Sequence, residues 1–539
     1  MSEKIKKSIA VQGSILAIAG IITKIIGFLY RIPMANIMGN TGNCLYSAAF
    51  GIYNIALTLS SYSMPMAVSK LISERITQKR YKDANKLFSR ALIFAFIMGT
   101  IACSVLFFGA DFLAGLYKRE GLERPLRVLA PTTFIVALLG TMRGFYQGHK
   151  NMVPTAVSQV VEQIVNAIVS VVAASSFVKA CSEANDEASY GAMGGTLGTL
   201  AGAFSALLLF IALYINGNKQ RKDNLVEADE ITEDDSVIFK AIILTVIPVA
   251  ISQSIYQLGY TLDDLLYGNI MAIKNVNVET AESLQGIFNT QYNQMINLPV
   301  AIATAMASAT LPSVVASYTL KNFDDVKKKI NSVLKINLII AIPSAIGLSV
   351  LADPIMAVLF PRLGEYHNVA VMLLRTGSSA VVFYTLSTIT TSVLQGCNKM
   401  NVPVKHSAIS LVIHVLLNGI LLRFTNLDVY ALLIGNVSFP LIICLLNIRS
   451  VKKLLDYKFD VKGAFIKPFI SASVMGVVTA IIYYVGTGIL NSDGKIVKCV
   501  FMIIAIIGAV VSYAFMLILT KAVTKKELKS FPIIKKFVK

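Results

Sequence analysis

Long apolar runs separated by short polar segments fill almost the whole chain. Their spacing predicts an all-α polytopic membrane protein with about fourteen transmembrane helices. The first two are expected over 8–34 and 43–66, the fifth over 154–176, the seventh and eighth over 238–260 and 284–311, and the last two over 464–489 and 497–520. Several of these runs are polar along one side. In the first, Lys24 and Arg31 lie two turns apart on one face, with Gly13, Gly20 and Gly27 within roughly 60° of them. A cation at mid-bilayer costs about 2.5–3.5 kcal/mol on insertion scales. This face is therefore expected to line an internal cavity with water, counter-charges or an anionic ligand, and the glycine row to admit a neighbouring helix.

Other spans carry polar stripes at spacings of three and four: Asn54, Thr58 and Ser61; Gln159, Glu162 and Asn166; Ser252, Tyr256, Tyr260 and Asp263; Asn289, Asn293 and Asn297. Taken singly, each such residue is compatible with an ordinary interhelical hydrogen bond. Their recurrence in spans one, two, seven and eight points instead to a shared hydrophilic chamber, with Asn54, Tyr256, Asn289 and Asn293 among its binding candidates. Glu162 lies deep in a span, where a role in ion or proton coupling competes with pairing to a buried polar neighbour. Asp263, with Asp264 at the outer end of span seven, is a second coupling candidate, weighed against ordinary solvation.

The chain also repeats itself. Gly51-Ile52-Tyr53-Asn54 recurs as Gly286-Ile287-Phe288-Asn289, Ala110-Asp111 as Ala352-Asp353, and Gln147-Gly148 as Gln395-Gly396, in the same order. This predicts an N-terminal lobe of six spans over 1–215, a cytoplasmic linker over 216–237 and a second six-span lobe over 238–450. Two extra spans and a basic tail follow over 451–539. The even number of spans per repeat makes the repeat a parallel one.

Composition supports the class: 55% of the 539 residues are apolar and 15% charged. The net charge of +19 is concentrated in alternate loops and the tails, as in the segments 70–90 and 321–335. That is a topology signal rather than a nucleic-acid patch, and it places both termini in the cytoplasm. Both segments read as helices at the membrane interface, with capture of an anionic lipid headgroup as the sharper alternative. The six cysteines show no paired spacing. Among the four histidines only His406 and His414 share a span, and no metal set is expected. No P-loop is visible, nor any nucleophile with a base and an orienting group, so the chain is expected to be a transporter rather than an enzyme and to need no cofactor.

The stretches Thr23 to Pro33, Gly39 to Tyr46, Pro65 to Leu71 and Arg143 to Gly148 resemble the stage V sporulation protein B and polysaccharide biosynthesis family. That family belongs to the multidrug/oligosaccharidyl-lipid/polysaccharide exporter superfamily, whose MurJ branch contains lipid II flippases. The resemblance implies two six-helix lobes around a central cavity, alternating access, and export of an undecaprenyl-diphosphate-linked sugar such as a peptidoglycan precursor. Lys24, after Thr23, matches a basic residue of those flippases, and Arg31 matches a second with a shift of one. Gln294 stands where they carry another basic residue, and Leu45 or Tyr46 where they carry an acidic one. The partners implied are the lipid-linked sugar diphosphate and membrane lipids, with transport coupled to the membrane potential, H+ or Na+. Two other readings fit the pattern: a cation-coupled multidrug exporter of the same superfamily, and a membrane scaffold that recruits cell-wall or spore-cortex synthesis proteins.

Overall fold

The computed structural model describes residues 3–181, 186–217, 233–457, 459–489 and 494–523. Most of the predicted linker lies outside these, as do the surroundings of Gly13 and the side chains of Ser252, Tyr256 and Tyr260. No strand occurs among the described residues. In a bilayer, every backbone donor and acceptor must be satisfied within the segment, and the helix does this for an apolar run. Among the described residues ten helical runs are long and apolar enough to cross a membrane, or up to eleven if the bent pair Gly364–Gly377 and Ala380–Gly396 is one span. The expected second span, and the first from residue 18 on, fall within one such run, Ile18–Thr77. The helices over spans seven and eight contain side chains outside the described residues and are not in that count.

The helices are α1 Glu3–Leu57, α2 Met64–Thr77, α3 Tyr81–Phe108, α4 Ala110–Leu116, α5 Glu123–Gly148, α6 Val153–Ala180, α7 Glu187–Asn216, α8 Asp235–Ile273 and α9 Val278–Gly286. They continue with α10 Asn293–Thr319, α11 Phe323–Val350, α12 Ala352–Leu359, α13 His367–Gly377, α14 Ala380–Gly396, α15 Asn401–Phe424, α16 Val429–Leu455, α17 Lys462–Ile489 and α18 Lys495–Leu519. Packing divides the chain into two compact units, residues 1–290 and residues 291–539.

In the first unit α1 is two arms joined at Gly39, whose φ of 69° and ψ of −177° suit glycine alone. Asn43 Nδ2 donates to the Ala35 carbonyl at 2.9 Å. In a straight helix those residues would be about 12 Å apart along the axis, so the arms bend sharply at this point. One apolar core lies around the bend, with Met34, Leu45, Tyr53 and Leu122. A second lies towards the 70–90 segment, where Ile72, Phe88, Phe145 and Phe210 meet Ile238 and Ile242 of α8.

The closest helix contact in this unit that bears on function is between α6 and α7. Gly194, Gly198 and Gly202 recur every fourth residue and form one smooth ridge. A Cβ at Gly198 would fall 2.5 Å from the Ser170 amide nitrogen, and one at Gly202 would fall 2.5 Å from the Glu162 carbonyl oxygen. The ridge seats the backbone of α6 and sets the direction of its polar stripe. The row expected to admit a neighbour to α1 reduces, among the described residues, to Gly27, which Gln163 of α6 approaches. Gly20 faces open space.

In the second unit Val326, Leu338, Ile389 and Val451 form the core. Buried polar groups cross it in satisfied pairs. The Tyr292 hydroxyl lies 3.1 Å from both the Gly377 carbonyl and Asn436 Oδ1. His414 Nδ1 is 3.0 Å from the Gly435 carbonyl, and His406 Nδ1 is 2.7 Å from Asn447 Oδ1. The first ties the end of α13 to α16, and the two histidines tie α15 to α16.

Candidate functional site

The polar residues of the first unit gather in three places. The first is the face of α1 towards α6. Lys24 and Arg31 are both exposed despite lying within an apolar run, while Tyr30 and Met34 beside them are buried. Asn166 Nδ2 lies 3.4 Å from the Tyr30 hydroxyl. One turn earlier on α6, Glu162 Oε2 accepts from Arg143 Nη2 of α5 at 2.6 Å, and Arg143 Nε lies 3.3 Å from Ser158 Oγ. Glu162 therefore sits in an ion pair. Its partner Arg143 lies in a stretch that the sequence reading used only for the family resemblance. Asn54 is half-buried at the end of α1, where its carbonyl accepts from Thr58 at 2.7 Å. Asn293, in the second unit, is half-buried.

The second place is a buried clasp at the end of the unit that holds the Gly39 bend. Arg119, between α4 and α5, is 3% exposed. Its Nη2 donates to Gln285 Oε1 of α9. Gln285 Nε2 in turn donates to Asp264 Oδ1 of α8 at 2.6 Å, and Asn289 Nδ2 reaches the same oxygen at 2.7 Å and Ser47 Oγ at 3.1 Å. Glu282 and Cys44 complete the surroundings of Arg119. The backbones also meet. Gly286 lies against the Asn40 carbonyl with no room for a side chain, and Asn269 Nδ2 donates to the Leu116 carbonyl at 3.1 Å.

The sequence reading weighed solvation for Asp263 and Asp264, but they are 9% and 5% exposed. The reason is α9, which folds back over the end of α8. Asn289, expected in a substrate stripe, is in this clasp. So α1, α4, α8 and α9 are joined through one buried cation and its polar neighbours.

Glu282 of α9 is the titrating member. Burial pushes its carboxyl up to about 7; Arg119 works against that shift, and Glu120 and Glu279 add to it. A carboxyl whose pKa is higher when packed than when exposed stabilises the packed state at low pH. That contribution is lost as pH rises from about 4.5 to about 7. The expected result is a melting temperature that falls across this window, for roughly 2–4 kcal/mol in all. Thermal unfolding of Glu282→Gln in lipid nanodiscs should show that fall removed.

The third place is the opposite end, where the 70–90 segment expected to lie free at the interface meets acidic residues. Arg75 Nε and Arg80 Nη2 donate to Glu233 at 3.0 and 2.7 Å, and Arg90 pairs with Asp235 at 2.7 Å. Lys86 Nζ reaches the Glu233 carbonyl at 2.7 Å and Asp235 at 3.1 Å. The segment is the end of α2 and the start of α3, meeting at a turn over 78–80, and the acidic entry to α8 neutralises much of its charge.

Many apolar helices, the first carrying an exposed pair of cations, make this a multi-pass membrane protein, and its relatives are transporters rather than enzymes. The chain belongs to the polysaccharide biosynthesis protein family, which residues 10–318 match; residues 290–420 match the MatE family. It is 26% identical to the lipid II flippase MurJ of Bacillus subtilis (strain 168) over 516 residues, covering 93% of each chain. It is 24% identical to stage V sporulation protein B of the same organism over 530 residues, covering 97% of this chain and 98% of that one. Its fold is shared with a lipid II flippase MurJ in an inward closed conformation, with a TM-score of 0.67 over 93% of this chain and 98% of that one, at 15% identity. It is also shared with an inward-facing multidrug resistance MATE family transporter, at a TM-score of 0.66 and 15% identity, over 80% of this chain and 94% of that one. All are members of the multidrug/oligosaccharidyl-lipid/polysaccharide exporter superfamily.

Proposed function

We propose that this transporter is a flippase that moves an undecaprenyl-diphosphate-linked oligosaccharide or peptidoglycan precursor, such as lipid II, from the inner to the outer leaflet. The observation that carries this reading is the exposure of Lys24 and Arg31 on an apolar helix of a chain related along its length to a lipid II flippase. A sugar diphosphate headgroup is anionic and strongly hydrated, and it cannot enter hydrocarbon without replacement partners for its water. Arg31 offers a planar fork to the phosphate oxygens, and Lys24 a compact charge two turns away. The neighbouring hydroxyl and amide groups of Tyr30 and Asn166 suit the sugar. With the basic loops in the cytoplasm, an inside-negative potential favours export of an anion by about 2.3 kcal/mol per charge per 100 mV.

The test is transbilayer movement of an undecaprenyl-diphosphate disaccharide in proteoliposomes, read by accessibility of the sugar to an external enzyme. Protein-dependent movement that speeds up under an applied potential is expected. Movement no faster than in empty liposomes, with or without a potential, would sink the reading.

A further inference from the structure

The Arg143–Glu162 pair poses a question that its geometry answers. An ion pair within apolar helices is an expensive way to hold α5 to α6, and the second repeat does without one. Arg143 lies four residues before Gln147, and four before the matching Gln395 is Thr391. Glu162 lies eight after Pro154, and eight after the matching Pro403 is Leu411. Thr391 takes a neutral hydrogen bond from Asn447 Nδ2 at 3.0 Å, and Ser410 donates to the Phe439 carbonyl at 2.8 Å. The helices that correspond to α5 and α6 thus carry no ion pair at these positions, and each is tied to α16 by a neutral contact.

In the first repeat both charges are instead partly exposed, with side-chain exposures of 15% for Arg143 and 27% for Glu162. They also sit beside the cationic face of α1. Glu162 and Asn166 are one helical turn apart on α6, so their side chains are about 5–6 Å from one another. Asn166 reaches the hydroxyl of Tyr30, the residue before Arg31. Glu162 occupies only one edge of the guanidinium fork, through Nη2, while Nε is left to a long contact with Ser158. A guanidinium that gives its carboxylate a single N–H can exchange it for a phosphate, which accepts two parallel N–H groups together.

We infer that Arg143 is a third ligand for the substrate diphosphate, held in reserve by Glu162 and released to the phosphate oxygens when the headgroup arrives. This inference rests on the flippase reading. It assigns Glu162 a gating role: the carboxylate competes with the substrate for one guanidinium.

The test is equilibrium binding of undecaprenyl diphosphate to the full chain in nanodiscs, with inorganic pyrophosphate as the lipid-free comparison. Arg143→Gln should weaken binding tenfold or more. Glu162→Gln should tighten it about three- to tenfold, because the fork is no longer occupied. In the double variant, with two neutral side chains of similar shape, that gain should vanish. A structural pair gives a different pattern: both single variants melt earlier, neither changes affinity in the folded fraction, and the double variant recovers stability. That outcome, or a gain in Glu162→Gln that survives without Arg143, overturns the inference while leaving the flippase reading intact. Failure of the wild-type protein to bind undecaprenyl diphosphate at all removes both. Prenyl diphosphate should bind at least tenfold more tightly than pyrophosphate; equal binding would overturn the assignment to a lipid headgroup.

Discussion

Arg119→Gln should lower the stability of the protein by about 3–5 kcal/mol, the cost of removing one partner from a buried charge cluster. Arg119 faces both Asp264 and Glu282, which are 5% and 9% exposed, and glutamine leaves both carboxyls without it. The loss is specific to charge. In Arg119→Gln/Asp264→Asn one of the orphaned carboxyls is gone, so the pair should cost less than the sum of the single changes. Cys44 supplies an internal readout, because it is fully buried and lies next to Arg119. Its reaction with a maleimide on heating should begin at lower temperature in Arg119→Gln. Comparison with Cys44→Ala separates it from buried Cys397 and Cys444. Unchanged melting and unchanged Cys44 reactivity would mean that the backbone contact of Gly286 with Asn40 and the Asn269–Leu116 bond hold this end without the cation.

The clasp shows where sequence reasoning stops. Apolar periodicity was enough to find the helices, because a bilayer leaves a long apolar segment few alternatives to the helix. It was also enough to single out Lys24 and Arg31, since a charge in such a run is anomalous on its own evidence. Arg119 lies in a polar connection between two spans, where a basic residue carries no such anomaly. Its burial depends on α9 folding over α8, a contact 166 residues away along the chain. The same fold-back is why Asp264 looks solvated in sequence and is buried in space. Arg143 is an intermediate case. It and Glu162 flank the short connection between α5 and α6, and antiparallel neighbours joined by so tight a turn bring residues on either side of it together. Their pairing was therefore accessible, but Arg143 was read only as part of a family stretch. The acidic end of the linker and the basic 70–90 segment are complementary in sequence as well. Only the structure shows Glu233 and Asp235 seated on Arg75, Arg80, Lys86 and Arg90.

Lys24→Ala and Arg31→Ala should each slow flipping of an undecaprenyl-diphosphate sugar by about 10- to 100-fold, and the double variant by more than either. A hydrogen bond to a charged group contributes about 1.5–3 kcal/mol, and each 1.4 kcal/mol is a factor of ten. Both side chains are exposed, so their removal creates neither a cavity nor an orphaned buried partner, and melting temperatures should stay near wild type. Stability therefore separates these two residues from Arg119: the same loss of one positive charge should unfold the protein early at the clasp and leave it folded but slow on α1. Arg31→Lys should recover only part of the rate, because the ammonium keeps the charge but lacks the planar fork that meets two phosphate oxygens together. Lys24→Arg should be nearly neutral if Lys24 acts as a point charge. Rates in proteoliposomes that are indifferent to all four changes would leave the chain a flippase and move the diphosphate site off α1.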